Sequence, residues 1–196
     1  MTEQRHPFGA LETLGRRRFV AGASTLLLSA GTVALLAGRP ALAAGHRCRQ
    51  DDPAADVRIL NTALGAELEA VAAYGVGAAS GLLQKGVLDL AVQFQGQHRE
   101  HADLLASTVR KLGGRPVEPK ANYTFPVETL KTQADVLAFA AGLERGAVSA
   151  YLGAVPLFGN ADLAGAAASI LGDEAMHWAI LRHALGENPV PSAFVS

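Results

Sequence analysis

The chain has 196 residues, enough for one domain with a genuine core even if a sizeable leader is set aside. Its formal net charge of -1 excludes a global field that would draw in nucleic acid or an anionic membrane. Apolar residues make up 49% and aromatics 6%, the excess being alanine and leucine, so close-packed helices are favoured over sheets; a single cysteine, Cys48, leaves His, Asp and Glu as the available metal ligands.

The first segment reads as an export signal over residues 1–43. A polar start leads into Gly15-Arg16-Arg17-Arg18-Phe19-Val20, then an apolar stretch to about Leu36, then Pro40-Ala41-Leu42-Ala43-Ala44. This is a positive region, an apolar region and a small-x-small cleavage site. The arginine pair followed by x-Phe-aliphatic looks like the twin-arginine type, which implies a periplasmic or exported protein. Gly22, Ser24, Ser29, Gly31 and Thr32 dilute the apolar stretch, which sets it apart from a membrane anchor. Residues 44–52 form a flexible lead-in carrying His46 and Cys48. The residues before Cys48 are Gly45-His46-Arg47, not the small residues of a lipidation site.

Residues 53–187 carry four helical segments. Asp51-Asp52-Pro53 offers an N-cap and a first-turn proline, opening a helix that runs to about Ser80-Gly81. A short loop around Gln84-Lys85-Gly86 precedes a second helix ending at Lys111-Leu112-Gly113-Gly114, basic in its last turn with glycine after it. Residues 115–131 hold Pro116, Pro119, Asn122 and Pro126 and form a long crossover. Thr132-x-x-Asp135 is a capping box for a third helix, which ends near Pro156. After a turn at Phe158-Gly159-Asn160, a fourth helix runs from about Asp162 to Leu185, and residues 188–196 are a tail.

The segments repeat. Glu67-Leu-Glu-Ala-Val-Ala-Ala-Tyr74 and Glu144-Arg-Gly-Ala-Val-Ser-Ala-Tyr151 share Glu-x-x-Ala-Val-x-Ala-Tyr, 77 residues apart. His98-Arg-Glu-His101 and Glu174-Ala-Met-His177 correspond at an offset of 76, so the two halves are copies of one helical hairpin. Helical periodicity puts Leu60, Leu64, Glu67, Val71, Tyr74 and Ala78 on one inward stripe. The second helix turns Ala91, Phe94, His98, His101, Leu105 and Leu112 inward. The third gives Leu137, Ala140, Glu144, Ala147, Tyr151 and Ala154. The fourth gives Leu163, Ala167, Ile170, Glu174, His177, Leu181 and Ala184. Glu69 and Glu100 fall on the opposite side and are expected in solvent, as is His183; Trp178 is assigned no role.

Buried carboxylates without compensation lose several kcal/mol of hydration or take up a proton, and the stripes contain no Arg or Lys. Bound metal ions reverse that cost by making the carboxylates and neutral imidazoles ligands. A His or Glu three residues before another His puts both on one face. The candidate ligands are therefore Glu67, His98, His101, Glu144, Glu174 and His177. Tyr74 and Tyr151, about two turns from Glu67 and Glu144, either donate hydrogen bonds to ligands or only pack.

This pattern resembles the ferritin-like superfamily of carboxylate-bridged two-metal proteins, where two helices each give one Glu and two each give Glu-x-x-His. Glu67 and Glu144 match the lone glutamates, and Glu174-x-x-His177 matches one motif. The stretch Leu-Gly-Glu-Asn-Pro-Val-Pro-Ser-Ala-Phe194 resembles exported ferritin-like proteins related to desiccation-associated and rubrerythrin-type relatives. The resemblance implies an all-α, ferritin-like four-helix bundle with a long crossover between helices 2 and 3. It also implies two divalent transition-metal ions, iron first and Mn or Zn as alternatives, and an oxidoreductase acting on O₂ or peroxide in oxidative or desiccation stress. His98 departs from the pattern, standing where the second motif has Glu. Three carboxylates against two divalent ions leave a formal +1. The expected partners are a small-molecule oxidant and a second copy in a homodimer, with no nucleic acid and no stable membrane anchor once the signal is removed. Spacing alone supports metal binding; a non-catalytic metal-binding or stress-protection bundle and a metal-free structural or interaction bundle stay open.

Overall fold

The computed structural model describes residues 52–195, so residues 1–43, expected to be an export signal, most of the expected lead-in, His46 and Cys48 lie outside the described residues. The described chain forms four long helices: α1 (Pro53–Ala79), α2 (Lys85–Lys111), α3 (Gln133–Ala154) and α4 (Ala161–Ala184). There are no strands among the described residues, and none of the helices there is long and apolar enough to cross a membrane. The fold is the all-α, ferritin-like four-helix bundle expected, with its long connection between α2 and α3.

The helix boundaries follow from local chemistry. The Asp52 carboxylate accepts from the backbone N–H of Ala54 and Ala55, and Pro53 occupies the first turn. Thr132 and Asp135 cap α3 reciprocally. Asn160 caps α4 through Asp162 and Leu163. Gly113 ends α2 at φ +77, a left-handed conformation that glycine adopts without steric cost. Gly114 then passes so close to the α1–α2 contact that an added Cβ would lie 2.6 Å from Val57 Cγ1.

Helices α1 and α2 pair as one hairpin and α3 and α4 as another, and α1 meets α3 between them. The crossover is tied to α1 by Asn61, which donates to the Arg115 carbonyl at 3.0 Å and accepts from the Val117 N–H at 2.9 Å. At the start of α1 the buried Asp56 carboxylate accepts from Gly159 N–H at 2.9 Å and Asn160 N–H at 3.3 Å, fixing the α3–α4 turn.

Two apolar clusters fill the bundle. One gathers Leu60, Leu64, Leu105, Val109, Phe158 and Ile170; the other gathers Tyr74, Phe94, Leu137, Ala141 and Leu181. The expected stripes hold at most of these positions and are too narrow at others. Val109 and Val148 lie outside them and are completely buried, because each helix turns a face wider than a single seam toward its neighbours. Ala184, expected in the core, is exposed because it is the last residue of α4, beyond the packed layer.

Candidate metal centre

Each of the six candidate ligands comes from the middle of its helix. Glu67, His98, Glu144, Glu174 and His177 are buried and His101 is nearly so. All six converge. Glu67, His98, His101 and Glu174 form one group that could hold an ion; His98, Glu144, Glu174 and His177 form another. Within each group one donor atom per residue lies within 4.8 Å of all the others. His98 and Glu174, the corresponding residues of the two repeats, belong to both groups.

The hydrogen-bonded frame crosses the repeat. Tyr151 on α3 donates to Glu67 Oε1 on α1 at 2.6 Å, and Tyr74 on α1 donates to Glu144 Oε1 on α3. Both tyrosines therefore do more than pack, and each holds the glutamate of the other repeat. Phe94 stacks on His177 with ring centroids 3.9 Å apart, and the Tyr74 ring lies 5.2 Å from that of His98.

Two further groups touching the site were not foreseen. Asp173 Oδ2 lies 3.3 Å from His101 Nε2 and 3.4 Å from His177 Nε2, and Gln97 Oε1 lies 2.9 Å from His177 Nε2. Both contacts are made to the outer ring nitrogen, leaving Nδ1 of each histidine to face the centre. Asp173 precedes His177 by four residues, one helical turn; that spacing was the signal available for it. The positions expected outside the site are outside it. Glu100 and His183 are exposed, Glu69 pairs with Lys120 at 3.5 Å, and Trp178 packs on the apolar cluster with Arg182 5.4 Å over its ring.

The electrostatics are those of a mutually compensated cluster. Burial alone would raise the Glu67 carboxyl, but the His101 and His98 imidazoles beside it and the Tyr151 hydroxyl outweigh burial and hold the group down to about 2. Glu144 is likewise lowered: burial opposes the shift, and His177 and His98 overcome it. Glu174 goes the other way, raised first by burial and then by the neighbouring Glu144. Burial disfavours charge on the histidines, yet the carboxylates lift His98 to about 10 and His101 and His177 to about 9. The cations that neutralise these carboxylates in the ion-free protein are the histidines themselves.

That compensation is incomplete. His101 Nδ1, His177 Nδ1, Glu144 Oε2 and both oxygens of Glu174 are buried without a hydrogen-bond partner. An unsatisfied buried polar atom costs about 1–3 kcal/mol, and here five converge on one volume. Carboxylate oxygens with imidazole nitrogens are a donor set suited to Fe²⁺, Mn²⁺ or Zn²⁺, so these residues fit a metal.

A cavity of about 490 Å³ runs between α1 and α3 and reaches the centre, where Glu67, His98, Glu144 and Tyr151 line it. Its walls are mostly small and apolar, including Ala63, Ala66, Ala147 and Ala150.

A family profile described as a ferritin-like domain matches residues 55–187. Among solved structures the chain is similar to a conserved hypothetical protein from Mycobacterium tuberculosis, with 26% identity and a TM-score of 0.62. That match covers 72% of this chain and 97% of the other. No curated protein sequence matches the chain.

Proposed function

Because the chain belongs to the ferritin-like domain family, we propose that it is an exported protein holding two divalent transition-metal ions, iron first and manganese or zinc as alternatives, that removes O₂ or peroxide under oxidative or desiccation stress. The observation that carries this reading is the set of five buried, partnerless donor atoms inside two overlapping four-residue groups. When bound, a pair of Fe²⁺ or Mn²⁺ ions would supply the electrons for oxidant reduction, whereas zinc, which has no redox chemistry, would leave metal binding alone.

The chain's own residues contribute placement and proton control. Glu67 and Glu144 are each held by a tyrosine from the opposite repeat, which orients their carboxylates toward the centre before any ion binds. Asp173 and Gln97 engage the outer nitrogens of His101 and His177, which sets the ring orientation with Nδ1 inward. Tyr74 and Tyr151 hold their protons firmly: burial first, then the adjacent carboxylate charge, pushes both phenols up. The alanine-walled cavity offers a small apolar oxidant a route to the centre while giving bulk water few hydrogen-bonding partners. Export rests on the leader, whose arginine pair suits a route associated with proteins folded, and loaded, before transport.

A second reading has its own support. The histidine–carboxylate contacts satisfy much of the cluster's charge without any metal, as a metal-free bundle with a polar register-setting layer would require. Elemental analysis of protein matured in the cytoplasm separates the two: about two transition-metal ions per chain are expected, and none would leave the metal-free bundle standing. Stopped-flow mixing of the Fe²⁺-loaded protein with O₂ or peroxide then tests turnover. Consumption no faster than in the metal-free control would reduce the function to metal binding alone.

A further inference from the structure

The internal repeat pairs His98-x-x-His101 with Glu174-x-x-His177, so His98 and Glu174 occupy equivalent places, and both serve both ligand groups. Glu174 does so with two oxygens. Its Oε1 lies 3.1 Å from His101 Nδ1 and 3.5 Å from His98 Nδ1, while its Oε2 lies 3.5 Å from His177 Nδ1. His98 divides in the same manner. Its Nδ1 lies 2.9 Å from Glu67 Oε2, and its Nε2 lies 3.3 Å from Glu144 Oε1.

These distances close one cage and outline three sides of a second. Glu67 Oε2, His98 Nδ1, Glu174 Oε1 and His101 Nδ1 form a ring with edges of 2.9, 3.5, 3.1 and 3.6 Å. His98 Nε2, Glu144 Oε1, His177 Nδ1 and Glu174 Oε2 are joined in sequence by 3.3, 3.6 and 3.5 Å. Metal–ligand bonds of about 2.0–2.2 Å put adjacent donors of one ion roughly 2.9–3.6 Å apart, whether the angle is right or tetrahedral. Both cages therefore have the size of an ion's coordination shell, and the His98 ring is the wall between them.

We propose that His98 bridges the two ions through its two ring nitrogens, Nδ1 to the ion held by Glu67 and His101 and Nε2 to the ion held by Glu144 and His177, with Glu174 as the second bridge. This inference rests on the two-ion reading above. Bridging requires both ring nitrogens free of hydrogen, so a ring that starts as a cation gives up both N–H protons to solvent. The ring then carries one negative charge. Three carboxylates and one anionic ring balance two divalent ions to zero, removing the formal +1 that His in place of Glu creates. The ring is also locked in this orientation, being 1% exposed and flanked by the rings of Tyr74 and His177 at 5.2 and 5.4 Å.

The test uses the full chain with isotope-labelled histidine, loaded with a spin-active cadmium isotope, combining elemental analysis with NMR of the ring nitrogens. The expected result is two cadmium ions per chain and one imidazole whose two nitrogens are both split by cadmium, with that double splitting lost in His98→Gln. His98→Glu, which restores a carboxylate at the position, is expected to keep two ions and also lack the doubly split ring. Two ions per wild-type chain with every ring split at one nitrogen only, or a doubly split ring surviving in His98→Glu, would overturn the bridge and leave the two-ion reading intact. Fewer than two ions in the wild-type chain would remove the two-ion reading, and the bridge with it.

Discussion

Tyr151 donates its hydroxyl to Glu67 at 2.6 Å across the bundle, and Tyr74 makes the matching contact with Glu144, so each repeat's glutamate is held by the other repeat's tyrosine. The exchange is what an internal twofold relationship between the hairpins produces. It locks α1 to α3 at the level of the centre, beside the cavity that otherwise separates them.

Tyr151→Phe and Tyr74→Phe should each therefore leave a buried carboxylate oxygen short of a donor. The expected loss is about 1–3 kcal/mol in the metal-free protein, similar for the two variants because their settings are equivalent. Urea unfolding followed by circular dichroism measures it. A loss in one variant and none in the other would contradict the reciprocal role.

Removing a ligand should change the ion count in a pattern set by group membership. Glu67 belongs to one group and Glu144 to the other, while Glu174 belongs to both. Glu67→Ala and Glu144→Ala are each expected to drop the tightly held complement from two ions to one after dialysis. Glu174→Ala should weaken both positions. Unchanged stoichiometry in either single-group variant would refute the assignment.

Much of this candidate centre could be read from the sequence because the six candidate ligands recur at helical spacing inside apolar stripes. Glu67 sits three residues after Leu64, and His98 four after Phe94, so each polar group interrupts a core face. The tyrosine exchange could not be read the same way. Tyr74 and Glu67 share a helix face, but which carboxylate the hydroxyl reaches depends on the relative height of α1 and α3. Asp173 and Gln97 stayed hidden for another reason: each is adjacent in sequence to a ligand and sits at the margin of its stripe, where periodicity does not separate a side chain leaning inward from one in solvent. Nothing in the sequence singles out Asp56: it is an acid in the first turn of α1, and its burial comes from a turn about a hundred residues away in the chain.

Stability of the ion-free protein should depend on pH through the cluster. The histidines are raised from 6.5 to about 9–10, so their contribution is complete below pH 6.5 and is lost as pH rises through 9–10. Glu67 is lowered from 4.5 to about 2, so its contribution is complete above pH 4.5 and is lost as pH falls toward 2. Glu174, raised by burial, acts in the opposite sense and favours the acidic side. The urea midpoint of the metal-free chain is therefore expected to be highest between about pH 4.5 and 6.5, and to fall through pH 9–10. A midpoint that rises from pH 7 to 10 would contradict charged histidines in the core.

The same protonation predicts proton release on loading. At pH 7 the three histidines carry protons in the ion-free state and must give them up to coordinate. About four protons per chain should appear when divalent metal is added in weak buffer, two from His98 as it bridges and one each from His101 and His177, and apparent affinity should rise with pH. Titration in buffers of different ionisation enthalpy counts them, and release of one proton or fewer at pH 7 would argue for neutral rings beforehand.

Asp56 offers a test of the fold apart from the centre. Its carboxylate is 3% exposed and accepts two backbone N–H groups at the α3–α4 turn. Asp56→Ala should cost about 1.5–3 kcal/mol, the range for hydrogen bonds to a charged group, without altering the ion count. A loss of ions in a variant that still unfolds cooperatively would mean the turn controls the centre more directly than its position implies.

The α1–α3 cavity makes the last case, because it separates access from binding. Ala147 lines it one helical turn beyond Glu144, within a space of about 490 Å³, so a larger side chain there has room and need not displace the ligands. Ala147→Trp should therefore leave the ion count and the fold unchanged while narrowing the path from solvent to the centre. If the oxidant arrives by this route, oxidation of the Fe²⁺-loaded variant by O₂ is expected to slow about tenfold, equivalent to roughly 1.4 kcal/mol on the barrier. An unchanged rate with two ions still bound would mean that O₂ reaches the centre from another side, and that the alanine-walled space serves something other than entry.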